Sequence, residues 1–277
     1  MTSWAYCRRM GSTKVGGLVK QWRHQRSRSQ LDLALSVGVS PRHLSFVETG
    51  KSRPSPELIE AIGIHLDIPL RDRNSMLLAA GFAPRYRQTS LDDPAMADVV
   101  ASLRRLLDTH EPYPALVLDR HWNVVLANQG ASAMLHGLPD ELRTPRPNVF
   151  RVSLHPDGLA AITANFDEWA TYLLRQLDRT IAITGDAELL ALRDEVHAYP
   201  NVAALRSALD WTRPAATEQI LIPCELTVGD ARLSMFTTLT SFGTPRDITL
   251  DELAIEHFFP ADTATTEYFE TNTQATT

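Results

Sequence analysis

Cysteine is scarce: the chain of 277 residues has two, Cys7 and Cys224. One lies in an aperiodic leader and the other in an apolar run, so a disulfide framework is not expected and a reducing compartment fits. No apolar run approaches the roughly 20 residues that a membrane span needs, and the first residues lack the apolar stretch of a signal peptide. The expectation is a cytoplasmic protein with no membrane partner. A phosphate-cradling glycine loop, a GxSxG elbow, and the HExxH or paired CxxC spacings of metal sites are also missing. Neither a cofactor nor a metal is therefore expected, and the chain does not read as an enzyme. His155-Pro156-Asp157-Gly158 sets a base near an acid, but Pro, Asp and Gly each favour chain reversal. Cys224 sits in ILIPCEL, where a small buried hydrophobe is expected. No internal repeat is present.

What the chain does contain fits a soluble globular protein: 44% hydrophobic and 22% charged residues, with 17 Pro and 13 Gly for turns. Its length favours two domains of unequal size. The net charge of −6 is uneven: residues 1 to 66 carry ten Lys/Arg against four Asp/Glu, whereas residues 67 to 277 carry seventeen against twenty-nine. A basic module on an acidic remainder predicts phosphate contact at one end only, unless the charges simply form a solvated face.

Residues 1–14 have no periodicity and are expected to form a mobile leader, although Trp4 and Tyr6 offer groups that could dock. Short helical patterns with caps and turns fill 15–84. In 85–108, a connector, residues from 92 onward place Met96, Val99, Val100, Leu103 and Leu107 on one helical face; this suits a dimer helix or plain packing on either domain. Beyond Pro112 and Pro114, ALVLD and NVVLAN read as a hairpin turning at Arg120, His121 and Trp122. Helical spacing returns over Asn165–Leu177 and 187–198, and QILIPCEL, ARLSMFTTLTSF and EHFF read as strands. The segment 109–262 is thus a mixed sheet with helices, and 263–277 is expected to be a flexible, Thr-rich tail.

The most informative stretch is SQLDLALSVGVSPRHLSFVETGKSRPS, residues 29–55. Leu31, Ala34 and Leu35 are spaced to face inward from a first helix, and Gly38 supplies a turn. Ser40 and Pro41 open a second helix, with Leu44 and Val47 inward and Gly50 at its end. Leu58, Ile59, Ile62 and Leu66 complete a small core. Arg42, His43, Phe46 and Thr49 remain on the outer face, which fits a major groove: Arg42 can address guanine, His43 a base or phosphate, and Phe46 a thymine methyl. Alternatively a shifted helix buries Phe46.

This stretch resembles the Cro/repressor-type (XRE) helix-turn-helix family, with Gln30 opening the first helix of the motif and Glu48-Thr49-Gly50-Lys51 ending the second. The resemblance implies that Gln30 bonds phosphate or an adjacent side chain, that Lys51 and Arg53 hold the DNA backbone alongside the Ser40 helix start, and that Arg23 and Glu48 form a structural ion pair. Four later pieces resemble the MmyB-like regulators: LLAAGFAPRY at 77–86, ALVLDRHWNVVLAN at 115–128, HPDGL at 155–159, and SFGTPRDITLDELAIEHFFPAD at 241–262. That resemblance implies transcriptional regulation as a homodimer on a duplex DNA operator, with an apolar small-molecule effector in a PAS-like cavity. A fatty acid is the best-known type of occupant.

The expected fold is an all-α helix-turn-helix domain followed by an α+β PAS-like domain. Trp122, Phe166, Trp169, Tyr172, Met235, Phe236 and Phe242 are aromatic or flexible groups able to line a cavity, or equally plain core. His155, Arg120 and Asn128 are candidate anchors for a polar head group, although Asn128 can serve as a cap and Arg120 can face solvent. The competing reading keeps the DNA-binding module but makes the second domain an interaction module for a protein partner, with no ligand.

Overall fold

A computed structural model describes residues 15–208 and 221–274. The expected leader, with Trp4, Tyr6 and Cys7, lies outside the described residues, as do the start of QILIPCEL and the last residues of the expected tail. Among the described residues no helix is long and apolar enough to cross a membrane.

The chain divides into two compact units, one reaching Ser90 and including Thr244–Asp251, the other holding Leu91–Gly243 and the chain from Glu252 onward. The connector anticipated over 85–108 is therefore divided, and eight residues of the anticipated ligand-binding domain belong to the first unit. Long-range polar contacts explain their place. Asp247 accepts from the backbone N–H and, at 2.6 Å, the hydroxyl of Thr89, Ile248 N–H donates to Arg87 O, and Asp251 accepts from Leu70 N–H at 2.8 Å. No local periodicity announces such a return.

The first unit contains α1 (Val15–Gln25), α2 (Gln30–Ser36), α3 (Pro41–Glu48), α4 (Pro56–His65) and α5 (Leu70–Ala79). Ser29, Ser40 and Ser55 each accept a backbone N–H three residues on, with proline at the start of α3 and α4; each such cap satisfies a donor that the helix cannot. Gly38 sits at φ +73° between α2 and α3, a conformation that favours glycine. Gly16 has a different reason: a Cβ there would meet Val47 O at 2.1 Å, so α1 crosses the end of α3 at backbone distance.

Leu44, Val47, Ile59, Ile62 and Leu66 are buried as their spacing predicts. The face of α2 is a correction. Leu33 and Ala34 are buried, while Leu31 and Leu35 are 55% and 69% exposed. Seven residues make only two turns, and Leu33, Ala34 and Val37 form an equally good apolar stripe; contacts with the rest of the core choose between the two.

Arg23 holds α3 through Glu48. Its Nε and Nη2 donate to the two carboxylate oxygens at 2.6 and 2.9 Å, with side-chain exposures of 8% and 2%. Gln30 adds a third bond to Oε2 at 2.7 Å. Burial pulls the Glu48 carboxyl upward, but the Arg23 and Gln30 hydrogen bonds outweigh it and hold the group below the usual carboxylate range.

The second unit contains α6 (Ala97–Thr109), β1 (Ala115–Leu118), β2 (Val124–Ala127), α7 (Gln129–His136), α8 (Asp140–Arg143), α9 (Val149–Leu154), α10 (Phe166–Thr184), α11 (Ala187–His197), α12 (Pro200–Ala208), β3 (Cys224–Val228), β4 (Ala231–Ser241), β5 (Ala254–Pro260) and α13 (Thr263–Gln274). The strands form one antiparallel sheet in the order β2-β1-β5-β4-β3, giving the α+β architecture expected. Asp119 closes the β1–β2 hairpin by accepting from His121 and Asn123 N–H, and Trp122 takes the turn at φ +66°. Phe150, Leu154, Trp169, Leu173, Leu177 and Val196 pack with Cys224, Leu226 and Met235 as the main core.

The Thr-rich end is the second correction, because a helix occupies 263–274. Asp262 caps it by accepting from Thr265 N–H at 2.8 Å. Thr265 is fully buried and accepts from Ser234 N–H of β4, and Phe269 meets the Tyr113 ring at 5.7 Å. Composition alone suggested fraying; a threonine that satisfies a strand amide does not fray.

Arg23→Ala should leave Glu48 buried without its main partner and cost the first unit about 3–5 kcal/mol, read as an earlier transition in circular-dichroism melts at pH 7. A depressed carboxyl stabilises above its ordinary value of 4.5 and loses that stabilisation as pH falls through the lower folded value, so the gap between wild type and variant should close in acid. An unchanged melt at pH 7 would show that the pair does not hold α3.

Candidate functional site

The outer face of α3 carries the DNA candidates. Arg42, Thr49 and Lys51 are exposed, and His43 and Phe46 are half-buried. Phe46 is not in the core; its ring lies under two cations, with the Arg42 guanidinium 5.4 Å and the Lys51 ammonium 5.7 Å from its centroid. This is within reach of a cation–π attraction. The Ser40 hydroxyl caps the helix and the Thr49 hydroxyl donates to Ser45 O at 2.7 Å. Gln30 is engaged by Glu48. Arg53 stacks on Phe82 at 4.3 Å and donates to Gly81 O at 3.2 Å. Tyr86, from the LLAAGFAPRY stretch, donates to Glu60 at 2.5 Å, and its backbone is held by Asn74. The face therefore presents Arg42 and Lys51 around an aromatic ring, on a helix fixed from behind by Arg23 and Glu48.

The second unit contains an apolar cavity of about 50 Å³ between the sheet and its covering helices, lined by Leu116, Val124, Met134, Val152, Trp169, Leu226 and Phe258 among others. A wider pocket of about 490 Å³ adjoins it and shares Met134, Leu159 and Leu226. Of the nine residues proposed from sequence to hold a ligand, Trp169 lines the cavity. Tyr172 stacks on Trp169 at 5.3 Å, and Phe166 and Met235 belong to the surrounding core. Trp122 packs on Phe150 at 5.1 Å, and Phe242 follows the end of β4.

Phe236 faces away from the cavity. Neighbouring residues of a strand point to opposite sides of a sheet, and Phe236 stacks on Phe259 at 5.4 Å in a cluster with His110 and His257. The suggested anchors have other partners. Asn128 caps α7 and exchanges hydrogen bonds with Ala115 N–H, Ala131 N–H and Tyr113 O. Arg120 pairs with Asp186 at 3.0 Å. His155 accepts from Asp157 N–H and meets the Tyr199 ring at 4.9 Å.

Ser153 is one polar side chain in the lining, and the charged group there is Glu256, which sequence reasoning missed. It lies in the middle of β5 opposite Leu116 of β1 and Leu239 of β4, is 6% exposed, and its Oε2 has no hydrogen-bond partner. Burial pushes the carboxyl up to about 7, with Thr237 of β4 opposing. The titratable groups around it are Tyr172 on α10 and Cys224 on β3, both pushed up first by burial and then by the Glu256 charge; Arg179 and Glu225 act on those two in turn. Among the described residues no ion pair reaches Glu256. The signal was present in AIEHFFP: the face of Ala254, Phe258 and Pro260 is apolar except for one acid in mid-strand.

Residues 99–271 match the model of the MmyB-like transcription regulator ligand binding domain, and residues 19–72 match a helix-turn-helix model. The chain belongs to the MmyB-like transcription regulators. Uncharacterized HTH-type transcriptional regulators of Mycobacterium bovis and of two Mycobacterium tuberculosis strains are each 25% identical over 189 residues, covering 66% of this chain and 59% of theirs. The chain thus matches less than two thirds of the length of those relatives. The cavity of this MmyB-like regulator lies wholly within the matched ligand-binding domain.

A carboxyl raised from 4.5 to about 7 favours the folded state fully below pH 4.5 and loses that advantage as pH rises through 7, a swing on the order of 3 kcal/mol. Glu256→Gln should accordingly raise the melting temperature of the second unit at pH 8 and remove most of the decline seen in wild type between pH 5 and 8. A variant less stable than wild type at pH 8 would refute the buried, unpaired state of this group.

Proposed function

We propose that the protein is a sequence-specific, DNA-binding transcriptional regulator of the cytoplasm. Its helix-turn-helix reads an operator as a homodimer, and its second unit binds an apolar small molecule. The observation that carries the first half is the outer face of α3, where Arg42 and Lys51 flank Phe46 on a helix whose inner residues are fully committed to the core. In this reading Arg42 addresses a base edge, His43 and Phe46 contact neighbouring bases, and Lys51 binds phosphate; Ser40, Thr49, Gln30 and Arg53 shape the surface. A two-fold dimer doubles those contacts.

Support for the second half is the apolar cavity inside the matched ligand-binding domain. Ligand sites are mostly apolar with few polar groups, and a fatty acid, the occupant implied by the family resemblance, has the right kind of chain for this lining. The protein is read as a binder and not a catalyst. HPDG forms a turn whose His155 already accepts a backbone N–H, and burial pushes the Cys224 thiol up to about 12, which leaves almost no thiolate for nucleophilic attack at neutral pH.

On the DNA side, Arg42→Ala should cost about 1–3 kcal/mol on the operator and relax sequence preference, whereas Lys51→Ala should weaken all sequences alike. Anisotropy titrations on operator and scrambled duplexes separate the two; an equal loss on both duplexes for Arg42→Ala would remove that side chain from base reading. On the sensing side, a compound that co-purifies with the protein, identified by native mass spectrometry and returned to stripped protein, should shift operator affinity roughly 5- to 150-fold. Trp169→Ala should blunt that shift and Phe236→Ala, on the far side of the sheet, should not. Operator affinity that stays constant at saturating compound would favour control by a protein partner.

A further inference from the structure

The aromatic ring on the outer face of α3 is shared by two cations. Arg42 and Phe46 stand four residues apart, so one turn of helix places them on the same face, with the guanidinium 5.4 Å from the ring centroid. Lys51 reaches the ring by a different route. Gly50 takes φ +73°, which turns the chain back so that Lys51 and Ser52 N–H both donate to Phe46 O, at 2.8 and 3.0 Å. The Lys51 ammonium thereby comes to 5.7 Å from the same centroid. Among the described residues neither cation forms an ion pair or donates a side-chain hydrogen bond. Arg23, by contrast, is committed to Glu48, Arg26 to Leu66 O and Asp67 O, and Arg53 to Gly81 O.

We propose that Phe46 is a positioning residue as well as a base contact. Its ring holds the Arg42 guanidinium against a guanine while its edge meets the methyl of a thymine on the adjacent base pair, so that the two bases are read as one unit. This rests on the reading of α3 as the DNA-reading helix and deepens it by fixing the relative place of two operator bases. Unused guanidinium donors suit the O6 and N7 acceptors of guanine, and an outward apolar edge suits the thymine methyl.

Distance sets the spacing. Neighbouring base pairs rise about 3.4 Å along the duplex axis, and the sideways shift of the helical twist brings that step toward the 5.4 Å between ring and guanidinium. Two steps already rise about 6.8 Å before any shift is added. The ring also acts on the free protein: an exposed arginine samples many rotamers, and a partner that favours one of them lowers the freedom lost when guanine fixes it. Lys51, tied to the same ring through the Gly50 turn, is kept at the helix end for a phosphate.

The two roles of the ring separate by substitution. Leucine keeps an apolar surface for the methyl but has no π face for the cation; tyrosine keeps both and alanine neither. Full-length protein is used to enrich a duplex from a random library, and the enriched duplex is then scanned by anisotropy titration, replacing guanine by adenine and thymine by uracil one position at a time. The guanine whose preference disappears in Arg42→Ala and the thymine whose replacement by uracil weakens wild-type binding about three- to fivefold should occupy adjacent base pairs. Phe46→Leu should keep the uracil penalty and lower the guanine preference about two- to fivefold. Phe46→Tyr should keep both, and Phe46→Ala should lose the uracil penalty as well. A guanine preference unchanged in Phe46→Leu, mapped bases that are not neighbours, or the absence of any uracil-sensitive thymine would overturn this role of Phe46 and leave the DNA-binding reading standing. Failure of the wild-type protein to enrich any sequence would overturn that reading instead. If a Phe46 variant does not fold, the adjacency of the two mapped bases, which needs only wild type and Arg42→Ala, decides the matter.

Discussion

Strand β5 is the constraint on which the second unit depends. It is hydrogen-bonded on both edges, to β1 and to β4, over most of its length, and this fixes its register and with it the destination of every side chain. Glu256 and Phe258 are delivered to the cavity; His257 and Phe259 go to the opposite face, beside His110 and Phe236. A one-residue slip would exchange the two sets. The cavity is thus a property of a ladder, not of a loop.

Two buried carboxylates show how environment divides roles. Glu48 is withdrawn from water and given Arg23 and Gln30, so it stays ionised and fixes the recognition helix. Glu256 is withdrawn equally and given little, so its ionised form is disfavoured. A buried charge without a partner normally shifts its pKa instead of bearing the full desolvation cost. The signs are opposite: acid weakens the anchor of the DNA-reading helix, and base weakens the cavity strand. A structural ion pair has no need of an outside partner. Glu256 has the Thr237 hydrogen bond and no partner at Oε2.

Much of the first unit was legible because its signals are local. Serine caps, Pro41, Gly38 and the Leu44/Val47 spacing each act within a turn or two, and the outer face of α3 follows by elimination. What failed was the face of α2, where two stripes fit seven residues and only tertiary packing selects one. In the second unit the elements could be read but the site could not. Aromatic character put Met235 and Phe236 together in one proposed pocket, although strand alternation forbids adjacent residues from sharing a face. Asn128, chosen as an anchor, is consumed by backbone groups. The acid that does reach the cavity was passed over because EHFF was read for its strand propensity alone.

The topology also bears on how a ligand signal could reach DNA. A ligand alters operator affinity only if it binds two states of the protein differently, so a site needs some link to an element of the DNA-binding unit. Residues 244–251 join β4 to β5 along the chain and belong to the helix-turn-helix unit, where Asp251 accepts from Leu70 N–H at the start of α5 and Asp247 holds Thr89. Only Glu252, Leu253, Ala254 and Ile255 separate Asp251 from Glu256. The strand that carries Glu256 is thus preceded by residues anchored beside α5, and the helix α6, read from sequence as the connector, does not lie on the only stretch of chain that joins the two units. Its buried Leu103 and Leu107 fit a packing role within the second unit.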